Sequence, residues 1–184
     1  DARGAIRRGP EAVAEMRRNL ADLLRAFRPG RNGFLSRLLR GRRVDKILFA
    51  ATKADHLHHT QHAQLTAIVE TLVRDARERA RFAGAETGAM SLASLRATTE
   101  EMRQHDGREL PCVRGRLQDG RPAALYPGAL PEDPNAIFHD NAGDWLDGFD
   151  ALDFAPAPLT LRPGDGPPHI RLDRAAQFLF GDRL

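Results

Sequence analysis

Residues 44–55 have the sequence VDKILFAATKAD, and this stretch decides the fold. A short apolar run, Ile47 to Ala51, ends in the polar cluster Thr52-Lys53-Ala54-Asp55. An apolar run of this length, followed by turn residues, is typical of a buried strand in a parallel sheet. Parallel α/β sheets bind their ligands beyond the carboxyl ends of the strands. The polar cluster therefore occupies the position of a ligand-binding loop.

The segments on either side of this strand predict alternating helices and strands. Apolar residues recur at helical spacing from Gly9-Pro10 to residue 27, and again over residues 60–82, where Gly84 is a plausible stop. Residues 86–95 (ETGAMSLASL) predict a second strand. The order helix, strand, loop, helix, strand indicates an α/β fold with a parallel sheet.

The pattern changes further along the chain. Residues 110–117 and 121–126 flank Asp119-Gly120, which is a signal for a hairpin turn. Pro111 and Pro122 predict that these strands lie at a sheet edge, because proline cannot donate to a ladder. A short strand is predicted over residues 159–162, and a final helix over residues 170–180 with its cap near Asp173.

Composition limits the class of protein. The chain has 184 residues, enough for one domain or one domain with an insertion, and 41% of them are hydrophobic. No apolar run approaches the ~20 residues that span a bilayer, and the N-terminus has no signal-peptide core. The single cysteine, Cys112, excludes an internal disulfide and fits a reducing compartment. Beginning inside helix-forming sequence at Asp1, the chain is expected to be the C-terminal portion of a longer protein.

Positive charge is concentrated in the first third of the chain. The net charge is 28 − 25 = +3, but residues 1–60 carry 14 basic and 6 acidic residues, a balance of +8. A basic segment, Arg28 to Arg43, contains no acidic residue, and its amphipathic pattern is compatible with contact to an anionic membrane or an acidic protein. The favoured alternative is a connector helix packed on its own domain, because one or two turns bury little area. No nucleic-acid partner is predicted. The residues that would make such a membrane or protein contact are Arg37, Arg40, Arg42 and Arg43.

The polar cluster after the first strand can recognise a purine base. The carboxylate of Asp55 can accept hydrogen bonds from N1–H and the amino group of guanine, whereas adenine presents an acceptor at N1. Hydrogen bonds to charged groups contribute about 1.5–3 kcal/mol each, so this difference could select guanine. The stem of Lys53 can lie along the base plane, and Thr52 can hold the loop through its hydroxyl.

A second loop follows the second predicted strand and contains Arg96 and Ala97. A backbone N–H in this loop could donate to O6 of guanine. The alternative interpretation of residues 52–55 is a polar turn that caps the next helix. Guanine recognition is favoured because the strand, helix, strand and second loop follow in the expected order.

Other residue types in the chain do not form a recognisable catalytic group. His56, His58, His59 and His62 lie close together in sequence, and the spacing of His58 and His62 could place both on one helix face around a metal. Ordinary loop contacts are the favoured interpretation, because no cysteine or well-spaced carboxylate completes such a site. Cys112 lies in a predicted strand and is expected to be a packed or semi-exposed thiol.

The sequence also lacks a phosphate-binding loop. No Gly-x-x-x-x-Gly-Lys-Ser/Thr motif occurs anywhere in it. The Ser/Thr hydroxyl of that motif, which binds Mg²⁺, is therefore also missing. By itself the chain is therefore expected to be inactive as a GTPase or ATPase.

Several longer segments resemble the YcjX-like family of P-loop nucleotide-binding proteins. They occur in order over nearly the whole chain: FRPGRN (27–32), DKILFAATKADHLHH (45–59), FAGAE (82–86), SLRAT (94–98), YPGALPEDP (126–134) and PHIRLDRAAQFLFGDRL (168–184). The resemblance implies a cytoplasmic, stress-associated bacterial protein with a GTPase-like domain. It also implies that a phosphate-binding segment precedes Asp1.

The resemblance assigns roles to particular residues. It implies that Thr52, Lys53 and Asp55 form the guanine-specificity motif, with threonine in place of the commoner asparagine. Arg96 and Ala97 would lie near the second base-contacting loop, although Arg96-Ala97-Thr98 departs from the usual Ser-Ala-Lys. The implied ligand is GTP or GDP, with ATP as an alternative, and Mg²⁺ would be held by the preceding part of the protein.

The same resemblance implies a division of the chain into three parts. Residues 1–106 are expected to form the C-terminal part of a P-loop, GTPase-like α/β domain with a parallel sheet. Residues 107–168 are expected to form a small β-rich insertion. Residues 169–184 are expected to form a helix that packs back on the α/β domain.

Overall fold

A computed structural model describes residues 2–26, 44–139, 154–156 and 166–183. In the described residues two helices precede each of the first two strands, three further strands follow in succession, and a last helix comes near the end of the chain; short 3₁₀ turns occur at residues 54–56, 59–61 and 134–138. In chain order they are α1 (Ala2–Arg7), α2 (Pro10–Ala26), β1 (Lys46–Ala51), α3 (His62–Leu72), α4 (Arg74–Phe82), β2 (Glu86–Ser91), β3 (Thr99–His105), β4 (Arg108–Arg116), β5 (Pro122–Leu125) and α5 (Leu172–Phe180).

The two predicted strands form a parallel pair. β1 and β2 pair in register from Lys46 opposite Glu86 to Ala51 opposite Ser91. This pairing confirms the α/β prediction drawn from the alternation of helices and strands. Because the strands are parallel, the loops that leave Ala51 and Ser91 emerge at the same edge of the sheet.

The connection between these strands differs from its prediction. A single helix was predicted over residues 60–82, but the structure has two, α3 and α4, separated at Val73. The hydroxyl of Thr71 donates to the carbonyl oxygen of Ala67 at 3.0 Å. Threonine hydroxyls that bond four residues back in a helix often bend it, and this contact lies one turn before the break.

Helices cover both faces of the parallel pair. On one face, Phe49 and Ala51 belong to a buried cluster with Leu65 and Ile68 of α3. The alternation of side chains along a strand places position 48 on the opposite face. There α5 packs closely, and an ideal Cβ on Gly88 would lie 3.2 Å from the ring of Phe178. The described part of the α/β region therefore has three layers, with the strands in the middle.

A separate antiparallel sheet contains the predicted hairpin. β3, β4 and β5 lie in that order, and the turn at Asp119-Gly120 places Arg116 opposite Pro122. β4 is thus the central strand rather than an edge strand, which corrects the prediction made from Pro111. The reason is that β5 pairs only with residues 113–116 of β4, so Pro111 lies in the half that extends beyond β5 and has only β3 beside it.

Two elements were not predicted. α1 was missed because it has only six residues, and β3 was missed because its sequence, TEEMRQH, is almost entirely polar. The final helix begins at Leu172, close to its predicted start. The basic segment and the strand predicted over residues 159–162 lie outside the described residues. Among the helices of the described ranges, none has both the length and the apolar character to cross a membrane.

Candidate functional site

Backbone hydrogen bonds join the two loops at the carboxyl ends of β1 and β2. The N–H of Leu92 donates to the carbonyl oxygen of Ala51 at 2.8 Å, and the N–H of Ala54 donates to that of Leu92 at 3.0 Å. The chain then turns at Lys53, which has φ of 60° and ψ of 36°, a left-handed conformation that is uncommon for residues other than glycine. The turn exposes Thr52 and Lys53 and directs the next residues into the protein.

Asp55 connects these two loops through both its side chain and its backbone. The residue is only 3% exposed, and its Oδ2 accepts a hydrogen bond from the N–H of Ala97 at 2.8 Å. The hydroxyl of Thr98 donates to the carbonyl oxygen of Asp55. The structure thus brings together two of the five residues predicted for base binding, Asp55 and Ala97.

The other predicted residues take different positions. Thr52 and Lys53 are exposed beside Asp55. The guanidinium of Arg96 turns back on its own loop: its Nε donates to the carbonyl oxygen of Thr98 at 3.0 Å, and its Nη2 lies 3.3 Å from the carboxylate of Glu100. Arg96 therefore stabilises the second loop in this conformation.

The buried side chain of His62 is hydrogen-bonded to the backbone of the first loop, residues 52–59. His62 is 3% exposed, and its Nε2 lies 2.8 Å from the carbonyl oxygen of Ala54 and 3.2 Å from that of Leu57. Carbonyl oxygens only accept hydrogen bonds, so Nε2 carries the proton and donates. Burial lowers the pKa of His62, the largest of several influences on it, and favours the neutral ring. The backbone on which Asp55 sits is therefore fixed by a neutral imidazole.

Arg171 completes this support from the end of the chain. Its Nη1 donates to the carbonyl oxygen of Ser91 at 3.0 Å and to the Ser91 hydroxyl at 2.9 Å, and it lies 3.3 Å from Nδ1 of His62. Sequence reasoning missed both His62 and Arg171 as supporting residues. The HIRLDR segment contained the arginine, but its left-handed backbone, with φ of 56°, was not visible in the sequence.

These contacts bear on the alternative, not favoured from the sequence, in which His58 and His62 share a metal. Both ring nitrogens of His62 already face protein groups, Ala54 and Leu57 on one side and Arg171 on the other. His62 is therefore a support for the loop. The spacing of four residues does not place the two rings at a shared site, because a 3₁₀ turn over residues 59–61 precedes α3.

A buried glutamine anchors the start of α3 to a distant loop. Gln61 donates from Nε2 to the carbonyl oxygen of Gly128 and accepts at Oε1 from the N–H of Leu130, both at 2.7 Å. His56, also buried, packs its ring edge-on against Phe154 with 5.4 Å between centroids. Gln61 and His56 therefore link the residues that follow Asp55 to residues 128–130 and to Phe154.

Cys112 is a packed thiol, one of the two states that the sequence left open. It is buried in β4, and burial raises the pKa of the thiol, which keeps it protonated at neutral pH. A protonated thiol is a poor nucleophile.

The fold and its loops define an α/β protein with a parallel pair of strands, a separate antiparallel sheet, and two loops joined through a buried aspartate at the strand ends. The chain belongs to the YcjX-like family: the family model described as "YcjX-like family, DUF463" matches residues 1–184. The resemblance noted in the sequence is therefore confirmed.

Curated relatives agree with this family. The chain is 38% identical over 178 residues to the "Ras-like GTPase YcjX" of Escherichia coli, covering 96% of the chain and 37% of that protein. It is 29% identical over 188 residues to the protein of the same name from Shewanella oneidensis, covering 100% of the chain and 37% of that protein. The chain thus spans little more than a third of the length of these relatives.

Proposed function

We propose that this chain forms the base-binding part of a GTPase-like nucleotide-binding protein. Two curated relatives are named Ras-like GTPases, which supports guanine nucleotide as the ligand. The 184 residues contain no phosphate-loop motif, so we assign binding of the phosphates and of Mg²⁺, and hydrolysis of the nucleotide, to sequence outside them. We also propose that the protein is cytoplasmic. A single cysteine fits a reducing compartment, and so does a role in nucleotide binding.

The contact between Asp55 and Ala97 is the observation that carries this proposal. It sets a carboxylate acceptor beside a backbone N–H donor, 2.8 Å apart, at the carboxyl ends of two parallel strands. Guanine presents the complementary pair side by side on one edge, with O6 as an acceptor and N1–H as a donor. In this conformation the two protein groups satisfy each other, as buried polar groups must.

Binding of guanine would exchange this internal hydrogen bond for bonds to the base. Asp55 would accept from N1–H and the exocyclic amino group, and the N–H of Ala97 would donate to O6. Because Asp55 is only 3% exposed here, the loop at Ala97 has to move away from it to admit the base edge. Two carbonyl oxygens of the loop at Asp55 accept from His62, so we assign the movement to the segment that carries Ala97.

Adenine does not fit the same pair of groups. Its N1 is an acceptor that would face the Asp55 carboxylate, and its amino group would face the N–H of Ala97. Both contacts would be unfavourable, and an unpaired buried group costs about 1–3 kcal/mol. In this arrangement Lys53 lies at the exposed turn, where its aliphatic stem can cover the base plane. Thr52, also exposed, lies directly before it.

Asp55→Asn in the full-length protein tests the proposal. Asparagine keeps an oxygen that can accept from Ala97, but its amide nitrogen donates where guanine also donates. GDP affinity should fall by about 10- to 150-fold, which corresponds to one hydrogen bond to a charged group. Xanthosine diphosphate has an oxygen at position 2 and should bind the variant more tightly than it binds the unchanged protein. Isothermal titration with GDP and with xanthosine diphosphate measures this change in base preference.

A matched control separates base recognition from general damage. Asp119→Asn makes the same substitution in the exposed hairpin turn of the antiparallel sheet and should leave both affinities unchanged. Equal GDP affinity of the Asp55→Asn variant and the unchanged protein would exclude the base-binding role. An unchanged ratio of GDP to ADP affinity in that variant would exclude it as well.

A further inference from the structure

Two histidines and one glutamate come together beside the candidate base-binding loops. A ring nitrogen of His58, a ring nitrogen of His59 and a carboxylate oxygen of Glu100 all lie within 4.8 Å of one another. The rings of His58 and His59 face each other with centroids 4.3 Å apart, and Nδ1 of His59 lies 2.6 Å from Oε2 of Glu100. Glu100 is 41 residues from His59 along the chain, so only the tertiary fold creates this group.

We propose that His58, His59 and Glu100 bind a divalent transition metal ion, with zinc as the preferred ion. Two imidazoles and one carboxylate are a common set of three protein ligands for zinc, and water or another ligand takes the fourth position. Mixed nitrogen and oxygen ligands of this kind also accept cobalt and nickel. The magnesium expected with a nucleotide favours oxygen ligands and does not fit this group.

The observed distances are close to those that a bound ion requires. Zinc binds nitrogen and oxygen at about 2.0–2.2 Å, so two ligands at a tetrahedral angle lie about 3.4 Å apart. Nδ1 of His59 and Oε2 of Glu100 would therefore move apart by less than 1 Å from their present 2.6 Å. His59 would bind through Nδ1 as the tautomer with its proton on Nε2, because the ion replaces the proton between the two side chains.

Neighbouring groups hold the ligands as the outer partners of a metal site do. Nη2 of Arg96 lies 3.3 Å from Oε1 of Glu100, which leaves Oε2 for the ion. Thr60 contacts Nδ1 of His58 through its backbone N–H at 3.4 Å and its hydroxyl at 3.0 Å, so His58 would bind the ion through Nε2, and its proton would move to Nδ1 and be donated to the Thr60 hydroxyl. The side chain of Glu100 is 19% exposed and that of His59 is 66% exposed, so the group opens to solvent on the His59 side.

Metal binding would join the same two segments that Asp55 joins. His58 and His59 follow Asp55 in the first loop, and Glu100 lies in β3, two residues beyond Thr98, whose hydroxyl donates to Asp55. A bound ion would add a second cross-link between the first loop and β3. This inference does not depend on nucleotide binding, since the ligands and their geometry are separate from Asp55 and Ala97.

Direct titration of tag-free full-length protein with zinc tests the inference. One equivalent should bind, and binding should raise the melting temperature in a way that EDTA reverses. Cobalt should give visible d–d absorption bands of a low-coordinate site, a signature that a purely structural role of these side chains would not produce. His59→Ala and Glu100→Gln should each weaken zinc binding at least about tenfold and remove the cobalt bands.

Controls separate a built site from general affinity of histidines for metals. His105→Ala removes an exposed histidine of β3 whose Nε2 lies 3.5 Å from Oδ2 of Asp106, and it should leave zinc binding and the cobalt bands unchanged. Circular dichroism without metal checks that His59→Ala and Glu100→Gln remain folded. Absence of cobalt bands in the unchanged protein would overturn the inference. So would equal zinc affinity of the unchanged protein and a His59→Ala, Glu100→Gln double variant.

Discussion

The parallel strands and the antiparallel sheet obtain their stability in different ways. β1 lies between α3 and α5, and it contributes Phe49 and Ala51 to the buried cluster. β3 has no buried residue among its seven, and in β4 only Cys112 and Val113 are buried. The antiparallel sheet is therefore held mainly by backbone pairing and by a few close contacts. One of these is at Gly115, where an added Cβ would lie 2.6 Å from the ring of Phe154.

This difference explains where the candidate sites lie. Asp55 is carried by the loop of the well-packed region, where His62 fixes the backbone through Ala54 and Leu57. Ala97 and Glu100 lie on the segment that leaves β2 and enters the more exposed sheet. If guanine enters between the two loops as proposed, the movement would fall on the side of the sheet with few buried side chains, because segments with few buried apolar contacts open at low cost.

The largest expected change in the free energy of unfolding is for a substitution in the core that packs against β1. Leu65 of α3 is 0% exposed, and Leu65→Ala should lower the free energy of unfolding by about 2–5 kcal/mol, because it removes buried methyl groups and leaves a cavity. Met102→Ala in β3, where the side chain is 49% exposed, should change it by less than about 0.5 kcal/mol. Urea unfolding of the two variants measures the contrast, and similar losses would contradict the distinction between the two sheets.

An intermediate change in the free energy of unfolding is expected at Arg171, which binds the end of β2. Arg171→Met keeps most of the side-chain volume but removes the donors to the carbonyl oxygen and hydroxyl of Ser91 and to Nδ1 of His62. The free energy of unfolding should fall by about 1.5–3 kcal/mol, the range for hydrogen bonds that involve a charged group. Arg174→Met, at an exposed position of α5, is the matched control and should be nearly neutral. Equal losses in the two variants would show that the Arg171 contacts contribute little.

The smallest effect is expected for an ion pair on the helical surface. Nη2 of Arg17 in α2 lies 2.7 Å from Oδ2 of Asp75 in α4, and their side chains are 43% and 56% exposed. A double-mutant cycle with Arg17→Ala and Asp75→Ala should give a coupling of about 0.2–1 kcal/mol that decreases with salt. A coupling above 2 kcal/mol would contradict the view that burial, rather than surface charge, stabilises this region.

The same pair predicts a direction of pH dependence. The Arg17 guanidinium lowers the pKa of Asp75 below its ordinary value near 4, through a hydrogen bond and its charge. A carboxylate whose pKa is lowered by folding stabilises the protein above its unfolded pKa, and this contribution is lost as the pH falls through the folded value. The coupling should therefore be constant near neutral pH, begin to fall near pH 4 and be lost as the pH drops through the lowered pKa of Asp75, which the same cycle at several pH values checks.

Particular residues show how far the sequence alone determined this protein. Periodicity and turn residues predicted α2, β1, β2, the hairpin at Asp119-Gly120 and the final helix, because these patterns reflect local preferences and the burial of one face. The longer matching segments identified the YcjX-like family. The same reasoning predicted that Asp55 and Ala97 lie on two loops at the strand ends, and base binding by these residues remains a prediction.

Only the tertiary structure decided which side chains meet. The sequence allowed a metal pair of His58 and His62 but favoured ordinary loop contacts, and the fold places Nε2 of His62 against the carbonyl oxygen of Ala54 and sets His58 and His59 beside Glu100. It also places Arg171 against Ser91, 80 residues away along the chain. The physical reason is that periodicity reports the environment of each residue along its own element, whereas hydrogen-bond partners and metal ligands depend on how distant elements pack together.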